Sequence, residues 1–251
     1  MVSSDFRAEA RKKLQGKWGK AICIILAYFL VFLAIGFISG LLGEAMESLV
    51  SIVVTIIEIP LAFGFIISLV KLFNEQEVKA FDFFNNGFSN FKKSWGIALH
   101  TLLKMLVPFI LLIVSIVLIT TALSIDITSL AMSSMYGTPS GSSSTIFYVL
   151  GFVLLLVSGI WATTKSYYYK LAYIIAAENP ELTGKEAVLK SEELMKNNRA
   201  KLFFLELSFI GWAILSVFTF GIGLLWLAPY IQFSTISFYK HLANPNVITE
   251  E

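Results

Sequence analysis

The chain has 251 residues, 57% of them hydrophobic and only 14% charged, where a soluble domain carries roughly 25% charged residues. That leaves too little polar surface for a water-facing globule, and a net charge of +2 is too small to imply nucleic acid, so no nucleic-acid partner is expected. A single cysteine, Cys23, excludes an internal disulfide and any multi-cysteine metal site. Its ordinary reading is a small apolar residue in a helix.

In chain order, "DFRAEARKKLQGKWGK" (5–20) predicts a basic cytoplasmic helix at the membrane surface, ending near Trp18. The uncharged stretch 21–43 follows. It is longer than the 7–15 residues of a signal h-region and has no clean cleavage motif after it, so it reads as a retained span. A crossing takes about 20 residues at 1.5 Å each. By that rule the spans lie near 21–43, 49–71, 105–125, 146–164, 202–219 and 223–240.

The last two spans need an argument, because residues 202–240 as one helix would be about 58 Å long. Lys201 and Lys240 bracket the run with no Lys or Arg between them, so both ends belong on one side. Gly221 and Gly223 sit near its midpoint, where a tight turn needs them. The run is therefore a hairpin.

All 19 Lys and Arg residues then lie on one face. The opposite loops, "EAMES" (44–48), 126–145 and the glycine turn, contain none. The expected fold is an all-α polytopic membrane bundle over 1–251. It has six transmembrane helices as three hairpins, with both termini cytoplasmic.

A cytoplasmic helix precedes each hairpin: 5–20, 79–96 and 183–200. In the second, Phe84, Phe88, Phe91 and Trp95 recur at i, i+4, i+7 and i+11. Such an aromatic stripe beside lysines suits a helix in the interface, pairing with anionic headgroups. The third opens with Thr183-x-x-Glu186, a capping-box pattern. All three join their spans alike, at Leu14-x-x-x-Trp18, Phe91-x-x-x-Trp95 and Met195-x-x-x-Arg199. The returning spans echo too: Pro60 precedes Ser68 and Lys71 by the same intervals as Pro229 precedes Ser237 and Lys240. This predicts a threefold repeat of interfacial helix plus hairpin. The bland alternative is that any inward-running helix ends in aromatic and Lys residues.

Parts of the chain resemble the bacterial membrane proteins of domain-of-unknown-function family 975. They are "LMKNNRAKLFFLELSFIGWAILSVFTFGIGLLWLAPY" (194–230), "FYKHL" (238–242), "ARKKLQGKWGKA" (10–21) and "FDFFNNGFSNF" (81–91). The resemblance runs over nearly the whole length. It implies a bacterial cytoplasmic membrane and six spans, and carries no activity and no functional residues.

Chemistry is sparse. His100 has Lys104 four residues on rather than a second ligand, and His241 lies at the far end of the chain. "TPSGSSS" (138–144) has no histidine near it and reads as a flexible connector, and the glutamates of "SEELMKNNR" (191–199) read as a solvated helix face. No nucleophile–base pair emerges, so no catalytic, metal or cofactor residue is assigned. Glu58, nine residues into the second span, lies about 13 Å deep. A carboxylate there costs on the order of 3 kcal/mol unless it faces protein or water. With Pro60 beside it, a proton, cation or substrate site is one reading; a protonated carboxyl hydrogen-bonded to a neighbouring helix is the other. Glu206 lies only about 7 Å from the inner edge.

Two functions are expected from these features. The first is non-enzymatic binding of a protein partner or lipid through the interfacial helices, with Trp18 and the 84–95 stripe as contacts. The alternative is a small-solute or ion transporter or channel using Glu58.

Overall fold

The computed structural model describes residues 3–42, 44–137 and 144–244, and all regular structure among them is helical. The helices are α1 (Ser3–Leu14), α2 (Trp18–Leu42), α3 (Glu44–Phe73), α4 (Asp82–Ser89), α5 (Phe91–Tyr136) and α6 (Thr145–Tyr169). Then follow α7 (Ala172–Glu178), α8 (Gly184–Met195), α9 (Arg199–Leu207), α10 (Ile210–Phe218) and α11 (Leu224–Ala243). Five helical stretches are long and apolar enough to cross a membrane: Trp18–Leu41, Ser48–Phe73, Phe91–Tyr136, Thr145–Glu178 and Arg199–Phe218. Their surfaces carry exposed side chains such as Phe37, Ile113, Val157 and Trp212, which water would penalise and lipid does not. α11 is as long as a span but outside these five; from its middle onward it carries Gln232, Ser234, Thr235 and Ser237.

Several boundaries differ from those the sequence predicts. Helix α5 runs for 46 residues, about 69 Å. It therefore contains the end of the expected interfacial helix 79–96 and residues 126–136 of the expected outer loop 126–145. The polar residues there do not break it, because Ser124, Thr128, Ser129 and Ser134 return their hydroxyls to carbonyls three or four residues back. Residues 138–143 of that loop lie outside the described residues. The expected loop 44–48 is helical as well, since α3 begins at Glu44. The cytoplasmic helix expected over 5–20 ends at Leu14, and that expected over 183–200 ends at Met195.

The fifth expected span, 202–219, is two helices, α9 and α10. Ser208 Oγ donates to the Leu205 carbonyl at 2.6 Å, and Phe209 N–H reaches back only three residues to Glu206 O, a tighter turn than the α-helix. The expected turn after α10 is present, and its two glycines do different work. Gly221 takes φ +83° in the turn itself, whereas a Cβ on Gly223 would meet Ser216 Oγ at 2.6 Å.

The chain packs as two compact units: Met1–His100 with Tyr168–Glu251, and Thr101–Tyr167. In the second, buried Ser115, Ala122, Ser158 and Ala162 are the small residues that let membrane helices approach. Ser144 Oγ donates to Asp126 Oδ1, so the expected loop limits coincide with a polar clasp.

In the first unit α1 and α4 each dock on a long helix, whereas α8 packs on α7. α3 packs on α4 and α11 on α1, while Ser191 of α8 donates to the Tyr168 carbonyl at the end of α6 (2.7 Å). The last long helix, α11, thus meets the first short helix, α1. Equivalent positions do the packing. Twelve residues before Trp18, Trp95 and Arg199 stand Phe6, Phe83 and Ala187, and eight before stand Ala10, Gly87 and Ser191; all six are buried. Arg199 keeps an aromatic contact at its position by stacking on Tyr168, 4.2 Å from the ring centroid.

Candidate functional site

The returning helices hold their polar ends with one residue type at one repeat position. Ser68 of α3 accepts from Asn86 Nδ2 of α4 (3.1 Å), and Ser237 of α11 donates to Glu9 of α1. Lys71 Nζ reaches Asn86 Oδ1 at 2.8 Å. Lys240 instead crosses to Glu178 on α7 at 2.7 Å, and Asn74 reaches the other oxygen of Glu178 at 2.8 Å. Lys93 Nζ is shared among the carbonyls of Ala176, Asn179 and Pro180. The echo of Ser68/Lys71 in Ser237/Lys240 is therefore structural.

Glu58 and Pro60 separate. Pro60 is buried, with the backbone of Gly87 against its carbonyl, so it serves the α3–α4 contact. Glu58 is exposed on α3, on a stretch with exposed Val53 and Ile56, and close enough to Tyr28 to interact electrostatically. The apolar setting expected of it is there; the burial against protein is not.

The aromatic stripe is split. α4 ends at Ser89, and Phe91 opens α5, so Phe84, Phe88, Phe91 and Trp95 do not share one helix. The period of 3.6 was read across Asn90, where the chain leaves the helix. Phe88 and Phe91 are exposed, while Phe84 packs on the cluster of Ala27, Leu61 and Phe83. The buried anchors of α4 are Phe83 and Gly87, which sequence reasoning missed. Their repeat equivalents Phe6 and Ala10 were the signal available.

Two cavities draw residues from distant parts of the first unit. A polar one of about 230 Å³ is lined by Lys170, Tyr173, Glu206, Gln232 and Thr235 together with apolar side chains. Lys170 and Glu206 form an ion pair at its wall. Glu206 thus finds polar surroundings, as its shallow depth suggested, whereas Glu58 lines neither cavity.

The second is a crevice of about 520 Å³ between α1, the start of α2 and the α10–α11 hairpin. Arg7, Arg11, Trp18 and Tyr230 form one end; Trp212, Leu215, Trp226 and Leu227 line its length. Arg11 donates to Tyr230 Oη at 2.9 Å, and Trp18 and Phe209 flank the Tyr230 ring at centroid distances of 6.5 and 5.1 Å. Trp18, expected as an interfacial contact, stands at the mouth of this crevice. Arg7 Nε is shielded from solvent and has no hydrogen-bond partner among the described residues. The hydroxyls of Ser216 and Thr219 are spent on the carbonyls of Trp212 and Ser216, so the far wall is apolar in effect. No acidic residue lines the crevice among the described residues.

Elsewhere, His100 Nδ1 pairs with the Gly96 carbonyl at 2.7 Å and His241 packs on Phe6. No group of three metal-ligating side chains gathers among the described residues.

Membrane-length apolar helices bearing a layer of short helices and a two-arginine crevice define the class of a multi-pass membrane protein. Within it, the chain belongs to domain-of-unknown-function family 975 (DUF975), described as a protein of unknown function, with residues 1–246 matched. No curated protein and no solved structure matches the chain.

Proposed function

We propose that the chain is a non-enzymatic protein of the bacterial cytoplasmic membrane that binds anionic lipid through its layer of short helices. In this reading it crosses six times as three hairpins, with both termini cytoplasmic, and α11 is the sixth crossing. At 20 residues α11 is about 30 Å long, enough to span.

One observation carries the reading. The short helices α1, α4 and α8 bury apolar residues against the rest of the first unit, while Lys12, Lys20, Lys79, Lys92 and Lys185 around them stay exposed. Each such cation near an anionic surface contributes about 1 kcal/mol of attraction. The test is thermal unfolding of the full chain in nanodiscs of phosphatidylglycerol mixed with phosphatidylcholine, against phosphatidylcholine alone. The expected result is a midpoint several degrees higher in the anionic discs, with the difference shrinking at high salt. Equal midpoints at low salt would overturn the reading. A membrane protein seated on the same layer is the other partner of this kind, and its recovery in fixed ratio from native membranes would identify it.

A transporter or channel is the second reading, and the polar cavity holding the Lys170–Glu206 pair favours it. Paired charges beside Gln232 and Thr235 are the lining a polar solute needs. Flux into liposomes, abolished by Glu58→Gln or Glu206→Gln, is its test.

A further inference from the structure

We infer that the crevice between α1 and the α10–α11 hairpin holds one anionic phospholipid, its phosphate between Arg7 and Arg11 and one acyl chain along Trp212, Leu215 and Trp226. The inference deepens the lipid-binding reading and rests on it, but names a single built site rather than attraction to a basic surface.

The argument begins with unbalanced charge. Arg7 and Arg11 lie one turn apart on α1, so both guanidiniums face the same end of the crevice. The contact shown for Arg11 is with neutral Tyr230, and Arg7 Nε is shielded without a partner. A shielded donor without a partner is unfavourable, and a guanidinium is suited to a phosphate because its forked donors match two oxygens. Charge complementarity thus selects an anion for that end.

The rest of the crevice selects against a free anion. From the level of Tyr230 to that of Gly223 it runs about 10 Å along α11. Over that length Trp226, Leu227, Trp212 and Leu215 offer apolar surface, and the hydroxyls of Ser216 and Thr219 are already satisfied internally. An occupant charged at one end and apolar along the rest is an amphiphile. A protein helix would need an acidic residue at one end, and would leave its own polar groups facing a wall with none to offer.

Trp18 and Tyr230 stand at the charged end, where aromatic residues mark the headgroup level. That places the phosphate at the interface and the chain inward, the orientation a bilayer lipid already has. The two walls come from opposite ends of the chain, α1 and α11, which pack directly on each other.

The test is native mass spectrometry of the full chain in neutral detergent, with phosphatidylglycerol or phosphatidylcholine added. The expected result is one phosphatidylglycerol retained per chain, at least tenfold more than phosphatidylcholine, and lost in Arg7→Gln/Arg11→Gln. Lys20→Gln/Lys79→Gln removes the same charge from outside the crevice and is expected to retain the lipid. Equal loss in both double variants would overturn the site while leaving general headgroup attraction standing. Equal retention of both lipids, or a lipid-free dimer, would overturn it too. Because the arginine variant could fail to fold, the unaltered chain gives a second readout. Three of its five tryptophans, Trp18, Trp212 and Trp226, line the crevice. Phosphatidylglycerol brominated on its acyl chains is expected to quench their fluorescence at lower concentration than the phosphatidylcholine analogue, and equal quenching would overturn the inference.

Discussion

Gly64 of α3 and Gly87 of α4 meet backbone to backbone: a Cβ on Gly64 would lie 2.0 Å from the Phe83 carbonyl and 2.6 Å from Gly87 N. A Cβ on Gly87 would lie 2.2 Å from the Pro60 carbonyl. Only a residue without a side chain fits at either point. Gly64→Ala or Gly87→Ala is therefore expected to push α4 off α3, at about 3 kcal/mol or more, visible as a lower unfolding temperature in detergent. Gly36→Ala, where nothing lies within 4 Å, is expected to leave it unchanged or raise it slightly.

Glu178 ties three elements, accepting from Lys240 of α11 and from Asn74 just beyond α3 while itself ending α7. Its side chain is 15% exposed and that of Lys240 is 29% exposed, so the pair is partly desolvated. Glu178→Ala is expected to cost about 2 kcal/mol, mostly by stranding Lys240. Adding Lys240→Met is expected to recover part of the loss, giving a coupling of about 1 kcal/mol in the double-mutant cycle. Strict additivity would show that the contact carries no coupling.

Acid is expected to loosen the short helices. Thr183 N–H and Oγ1 both bond the Glu186 carboxylate at the start of α8, holding its pKa below the ordinary 4.5. The ammonium groups of Lys13 and Lys17 do the same for Glu75. A carboxylate with a depressed folded pKa contributes its full stabilisation above its unfolded pKa and loses it as pH falls through the folded one. The unfolding temperature of the chain should therefore exceed that of Glu75→Gln/Glu186→Gln near neutrality, with the gap closing below about pH 4. A gap independent of pH would show that neither carboxylate is responsible. Thr183→Ala, which removes the cap acceptor, is expected to cost about 1 kcal/mol.

Glu58 on its exposed stretch is expected to be dispensable for folding. Replacing it by Leu removes a carboxylate from an apolar depth, so Glu58→Leu should unfold at the same temperature or higher. A drop of several degrees would reveal a partner for the carboxylate. Loss of flux with Glu58→Gln in the same preparation would move the transport reading ahead.

The proposed orientation predicts where a reagent confined to the outside can react. In a Cys23→Ser background, Ser134→Cys near the end of α5 should be labelled in intact cells by an impermeant maleimide. Ser89→Cys at the end of α4 should be labelled only after the membrane is opened. The opposite pattern would invert the topology.

Much of the helical layout was legible because its causes are local. Hydropathy over about 20 residues marks a span whatever surrounds it, so the apolar stretches are helices where expected. The turn around Gly221 and the cap at Thr183 likewise depend on a few adjacent residues. Polar composition does not by itself end a helix. In 126–136, Ser and Thr hydroxyls fold back onto their own carbonyls, so the helix continues. At Asn90 the reverse holds, and an unbroken periodicity hid a break between α4 and α5.

By itself the sequence determined the class, the apolar helices, the basic asymmetry of the loops and a repeat visible in Trp18, Trp95, Ser68 and Ser237. Only the tertiary structure decided that α3 takes α4 and α11 takes α1, that Gly64 faces Gly87, and that Arg7 and Arg11 stand over a crevice built mostly from residues 212–230. Local patterns record which face of a helix is apolar. Which helix meets that face depends on close packing between segments up to 228 residues apart, and that is a property of the assembled bundle.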